Sequence, residues 1–127
     1  VFFGKKIVGH YTASSVPAAA NVLFIGIETG ESPNNSMASS LLRKEAVGRI
    51  SSLLCYPASS SSLYRGEHER AAKACPRYSW SEVSFQKSDD VVQHFERILA
   101  DPAVAISELG FALSPKNCHI FICGDPE

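Results

Sequence analysis

Several features that would assign this chain quickly are missing from it. No apolar run approaches the ~20 residues that a bilayer-spanning helix needs, and no stretch reads as a signal peptide. Lys and Arg number 12 against 13 Asp and Glu, a formal net charge of −1, so no general attraction to nucleic acid or an anionic membrane is indicated. The four cysteines, Cys55, Cys75, Cys118 and Cys123, include no Cys-x-x-Cys pair, which speaks against a zinc ribbon or a thioredoxin-type motif. Cys118 and Cys123 stand an odd number of positions apart, so on one strand they face opposite sides and share no metal. His10, His68, His94 and His119 have no ligand spacing. No metal is expected. The thiols read as reduced, in a cytoplasmic protein, with Cys55 and Cys118 as small core residues. Neither the dinucleotide fingerprint G-x-G-x-x-G nor a P-loop with its Lys-Ser/Thr pair occurs.

What is present is an ordinary globular composition, 127 residues with 45% hydrophobic and 20% charged, enough for one domain with one core. The run Val22-Leu23-Phe24-Ile25 is apolar, β-branched and aromatic, and reads as a buried parallel strand. A helix is expected from about Pro33 to Ala46, since proline at a helix start lacks only an N–H that would have no partner. Arg49 to Cys55 reads as a second strand, and Tyr56 to Ser62 as a loop whose serine run is solvated low complexity. Leu63 to Cys75 reads as a helix stopped by Pro76, with Tyr64, His68, Ala71 and Ala72 at helical spacing and Arg65, Glu67, Glu69 and Arg70 on its solvated face. Tyr78 to Phe85 alternates as a strand, with Trp80 half-exposed. Asp89 or Asp90 caps a helix from Val91 to Leu99, Asp101-Pro102 breaks it, and a short helix from Ala103 ends at Gly110. Asn117 to Cys123 reads as a buried strand holding His119 as a hydrogen-bonded core histidine. The alternation β-α-β-α-β-α-β predicts an α/β fold: a three-layer, Rossmann-like parallel sheet with helices on both faces. Ligands of such sheets sit at the carboxyl ends of the strands, here Gly26–Pro33, Cys55–Ser62, Ser84–Ser88 and Cys123–Glu127.

The first of those ends joins a strand, two glycines and a helix start. Unpaired amides and the positive helix end make such a junction an anion site, although it is equally the form of an ordinary βα turn. The segment Gly26-Ile27-Glu28-Thr29-Gly30-Glu31-Ser32-Pro33-Asn34-Asn35 resembles the Gly-Thr-Gly-Thr-Gly-x-Ala-Pro segment of ferredoxin (flavodoxin)–NADP reductases. Glu31 to Asn35 is close to the Glu-Ala-Pro-His-Asn of the bacterial branch. Ile122-Cys123-Gly124-Asp125-Pro126 looks like the Cys-Gly-Asn/Asp-Pro of the same family, and Leu109-Gly110-Phe111, Leu113, Pro115, Cys118 to Phe121, Gly9 and Tyr11-Thr12 are also similar.

The resemblance implies an NAD(P)-binding domain over residues 17–127 and, over residues 1–16, the tail of a flavin-binding barrel plus connector. Val1 in place of Met, and the stop just after an apolar strand, read as cut ends. The implied activity is hydride transfer between NADPH and FAD, with NAD possible, followed by single-electron transfer to ferredoxin or flavodoxin; no nucleic-acid or membrane partner is implied. The flavin would lie on a preceding domain, and the fragment alone would be inactive. By the resemblance, Gly26, Thr29, Gly30, Ser32 and Pro33 wrap the pyrophosphate, and Cys123 lies beside the nicotinamide. Gly124 admits the backbone to the ring, and Asp125 and Pro126 shape the edge of the site. Ser84, helped by Lys87, takes the 2′-phosphate.

Two positions depart from the pattern. Glu28 stands where the family has its second glycine, and a carboxylate ~4 Å from a pyrophosphate costs about 1 kcal/mol in water-like surroundings and about 4 at a protein-surface dielectric. Phe85 stands where the family places the 2′-phosphate arginine, and Lys is not its equivalent. Both favour an alternative, a degenerate nucleotide-binding or interaction domain without activity. A thiol redox pair of Cys118 and Cys123 is the third reading, opposed by their opposite faces.

Overall fold

Four short strands pair into one sheet in a computed structural model that describes residues 19–43, 48–114 and 116–124. They are β1 (Asn21–Ile27), β2 (Ile50–Pro57), β3 (Tyr78–Phe85) and β4 (Cys118–Gly124). A three-residue 3-10 turn, Glu28–Gly30, leads from β1 into α1 (Glu31–Leu42); α2 (Arg65–Ala74) follows β2, and α3 (Ser88–Ala100) and α4 (Pro102–Leu109) follow β3. The sheet order is β3-β2-β1-β4 and every pairing is parallel.

The two faces carry separate cores. Val22 and Phe24 of β1, Ile50 of β2 and Tyr78 of β3 pack with Met37, Ala38 and Leu41 of α1, and Ala71 and Ala72 of α2 lie against them. On the other face Leu23 and Ile25, Leu53 and Cys55 pack with Ile98 of α3 and Ala105 and Leu109 of α4. This is the three-layer Rossmann-like α/β fold that the alternation of elements implies. Alternate residues of β1 feed opposite layers, so the strand is apolar on both sides and reads as a continuous run. The chain steps outward from β1 to β3 and then returns to place β4 on the other side of β1. The strand order therefore reverses between β1 and β4, which makes their carboxyl ends the switch point of the sheet.

Local chemistry sets the ends of the elements. The Asp90 carboxylate accepts the N–H groups of Gln86 (2.9 Å) and Lys87 (3.1 Å), which starts α3 at Ser88, earlier than Val91. Those two bonds also hold the Asp90 carboxyl below its ordinary range. Asp101 accepts from the Ala103 N–H at 2.9 Å, Pro102 occupies the first turn of α4, and Gly110 closes the helix at φ 88°.

Other expectations need correction. Helix α1 starts at Glu31, two residues before Pro33, and its described part ends at Leu42; residues 44–47 lie outside the described residues. β2 runs on through Tyr56 and Pro57, so the loop starts later, and α2 starts at Arg65, not Leu63. β4 is an edge strand. Ile120 and Ile122 are 40% and 56% exposed because α3 and α4 cover β2 and β3 on that face, and His119 is half-buried, not core. Residues 1–16, Asp125 and Pro126 lie outside the described residues. Among the described residues no helix is long and apolar enough to cross a membrane.

Candidate functional site

Parallel register brings the strand ends level. Gly124, Ile27, Cys55 and Val83 form one row across the sheet, and Cys123, Gly26, Leu54 and Glu82 the row before it. Gly26 thus pairs directly with Cys123 at the switch point. The turn after β1 folds over this pair. A Cβ added to Gly30 would lie 1.9 Å from the Cys123 carbonyl oxygen, and one added to Gly124 would lie 2.6 Å from the Ile27 Cβ. A Cβ on Gly26 would meet the Glu31 Cα at 2.9 Å. Each glycine expected to admit a ligand is thus needed first for chain-on-chain packing.

Thr29, Ser32 and Pro33 are exposed at the start of α1. An ordinary helix start offers four unpaired N–H groups. Here Pro33 has none, and the Glu31 N–H is bonded to the carbonyls of Glu28 and Thr29. The free donors facing the turn are fewer than the sequence suggests, and the Thr29 and Ser32 hydroxyls add to them. Glu28 is exposed with φ 54°, the left-handed region that favours glycine. The Cys123 thiol is half-buried, and burial, only partly offset by a bond from the Gly124 backbone, pushes its pKa up. It is a neutral thiol at pH 7, unsuited to act as a nucleophile.

Ser84 lies two strands away, on the edge strand β3, at roughly 10 Å from β1 by ordinary strand spacing. It opens onto a hollow of about 760 Å³ beside α3, whose lining includes Asp90, Gln93, His94 and Arg97. Lys87, exposed at the cap of α3, does not line it; Arg97 brings a cation there, with its guanidinium 3.0 Å from His94 Nδ1. Phe85 turns instead into the core beneath α3 and α4, which is a packing reason for an aromatic at that position.

Beside the turn lies a buried polar cluster that the sequence does not announce. Glu31, the first residue of α1, is 1% exposed. Its carboxylate accepts from the Tyr56 hydroxyl (2.5 Å) and the Ser62 hydroxyl (2.7 and 2.8 Å), and lies 2.6 Å from His68 Nε2. His68 Nδ1 is 2.6 Å from the Tyr78 hydroxyl, which donates to Ser52 at 2.8 Å. Tyr56 also donates to the Glu28 carbonyl at 3.2 Å. Burial alone would raise the Glu31 pKa. Hydrogen bonds from Tyr56, His68 and Ser62, with the nearby His68 charge, more than offset that and hold it below its ordinary 4.5. Glu31 is therefore ionised at neutral pH. His68 thus bridges the Tyr78 hydroxyl at Nδ1 and the Glu31 carboxylate at Nε2. Burial, and secondarily the Glu31 charge, push Tyr78 up to about 12. With each His68 nitrogen engaged, the cluster is a clamp and not a general base.

No protein-family model matches the chain, and no curated protein matches it. The functional reading therefore rests on these residues. The structure brings together Gly26, Thr29, Gly30, Ser32, Pro33, Cys123 and Gly124; it leaves Ser84 and Lys87 on the far edge. Glu31, Tyr56, Ser62 and His68 were read as turn, loop and helix residues. The one hint was His68 among the inward positions of its helix.

Proposed function

We propose that this chain is the NAD(P)H-binding half of a flavin-dependent reductase of the ferredoxin (flavodoxin)–NADP reductase kind. The observation that carries the reading is the adjacency of the two resembling motifs at the switch point, where Gly26 pairs with Cys123 and Gly30 packs on its carbonyl. A dinucleotide lying across that mouth would have its pyrophosphate at the Thr29 and Ser32 hydroxyls and the positive end of α1. Its adenosine end would extend toward Ser84, where Lys87 and Arg97 are the cations at hand. Cys123, as a neutral thiol, would sit against the uncharged nicotinamide edge and orient it. When bound, NADPH would supply a hydride and FAD on another domain would accept it, before single electrons pass to ferredoxin or flavodoxin. Isothermal titration with NADPH and NADH tests this: heat of weak binding is expected, and no heat with either at millimolar ligand sinks it.

The reading of a degenerate domain is favoured by the exposed Glu28 carboxylate on a left-handed backbone and by the few free amides at the turn. Glu28→Gly discriminates. Removing a carboxylate from beside a pyrophosphate should tighten NADPH roughly fivefold or more. No gain favours the interaction domain. Phe85→Arg is the less informative partner, because Phe85 packs against the core.

A further inference from the structure

We propose that Tyr56 and His68 are positioning residues for the Ile27–Gly30 turn, acting through Glu31. The role rests on the proposed nucleotide site only in taking this turn as the one that meets the pyrophosphate. Glu31 is tied to the turn by its backbone and to the rest of the fold by its side chain. Its N–H bonds back to the Glu28 and Thr29 carbonyls, while its carboxylate is gripped from β2 by Tyr56, from the following loop by Ser62 and from α2 by His68. The Tyr56 oxygen lies between two acceptors, the Glu31 carboxylate and the Glu28 carbonyl. Glu28 is the residue at φ 54°. A non-glycine residue keeps such a conformation only where its surroundings over-determine it, and this hydroxyl is one such constraint.

The other members of the cluster fix the clamp itself. His68 is held on its far side by Tyr78 and Ser52, and its ring stacks on Trp80 at a centroid distance of 5.4 Å. Ser62 accepts from the Tyr64 N–H at 3.0 Å, which orients its hydroxyl toward Glu31. Tyr56 and His68 are buried, and the Tyr56 hydroxyl is taken up by Glu31 and the Glu28 carbonyl. Their effect on the site is exerted through the backbone of the turn.

Tyr56→Phe removes the hydroxyl and keeps the ring. Amide hydrogen exchange by NMR, read at Thr29, Gly30 and Glu31 and at Leu23 and Phe24 of β1, is followed alongside calorimetric titration with NADPH. The turn amides should exchange about tenfold faster while the β1 amides hold. The NADPH dissociation constant should rise about fivefold. Adding Glu28→Gly should return the turn exchange toward wild type, because glycine takes the left-handed backbone unaided; affinity in that background is compared with Glu28→Gly alone, which removes a carboxylate and tightens NADPH by itself. If Tyr56→Phe fails to fold, Ser62→Ala removes one grip on Glu31 and should speed the same amides by a smaller factor. Unchanged turn exchange, or acceleration only in step with the β1 amides, overturns the proposal. If the wild type gives no heat with NADPH yet the turn loosens selectively, the nucleotide reading falls and the positioning role stands. If NADPH binds and Tyr56→Phe alters neither affinity nor turn exchange, the reverse holds.

Discussion

At the residue scale, the turn is governed by which positions lack a side chain and which carry one. Glu28 takes a left-handed backbone at a cost of about 1–2 kcal/mol for an L-residue. Glycine there removes that cost but loses roughly 0.5–1 kcal/mol of chain entropy. Glu28→Gly should therefore stabilise the fold by up to about 1.5 kcal/mol, read as a higher urea midpoint at constant slope. A lower midpoint would mean that the Glu28 side chain makes a compensating contact. Gly30 behaves oppositely. Its φ is −67°, which any residue adopts, so its need for glycine comes from the Cys123 carbonyl 1.9 Å from the added Cβ. Gly30→Ala should cost about 3 kcal/mol or more, because backbone and not a flexible side chain must move. Circular dichroism with urea titration measures it, and a loss under about 1 kcal/mol would show that the turn and β4 separate easily. The resemblance aligns both positions, Glu28 and Gly30, with glycines of one pattern. Only the tertiary structure separates a conformational requirement from a packing one.

At the element scale, α1 is joined to α2 and β2 through the buried Glu31 carboxylate and its contacts with Tyr56, Ser62 and His68. Removing the acceptor from a buried hydrogen bond leaves its donor unsatisfied, typically at a cost of about 1–3 kcal/mol. Glu31→Gln should lose about that much at pH 7, since its amide oxygen can still accept but its NH2 group cannot accept the hydrogen bonds that the second carboxylate oxygen takes. The pH dependence follows from the sign of the shift. The folded carboxyl titrates below its ordinary 4.5, so its stabilisation is complete above that value and is lost as pH falls through the folded pKa. The stability gap between wild type and Glu31→Gln should shrink steadily as pH falls below 4.5. Urea unfolding at several acidic pH values tests this, and a gap that widens toward acid would contradict ionisation of Glu31. The short elements follow simpler rules. Asp101, Pro102 and Gly110 set α4 by local capping alone, whereas the start of α1 is set by where the Glu31 side chain finds its partners.

At the scale of the whole molecule, one sheet separates two cores that share no buried residue among those described. Ile50→Val below α1 and Ile98→Val on the opposite face should each cost about 0.5–1.5 kcal/mol, and the double variant should add to within about 0.5. Marked non-additivity in urea unfolding would mean that the sheet transmits packing changes between layers. The strands, the helices and their alternation were legible in the sequence, because they rest on local facts. A β-branched apolar run from Val22 to Ile25, alternation from Tyr78 to Phe85 and an Asp-Pro break at Asp101 each act within a few residues. The adjacency of the glycine turn and Cys123 was legible through the resemblance and through the rule that parallel strands end level. What stayed hidden depends on partners far apart in the chain. Glu31 meets His68 across 37 positions, and no local pattern marks the pair. The edge position of β4 is likewise invisible in Cys118–Gly124 itself, since an apolar run reads as buried until the strand order is known. The sequence by itself determined the α/β class, the elements and the residues gathered at the strand ends, because backbone propensity and hydrophobic period are properties of neighbours. The tertiary structure alone decided which carboxylate is buried and paired, which glycine is filled by the protein's own backbone and which strand lies at the edge, because each of these is a contact between segments that only the fold brings together.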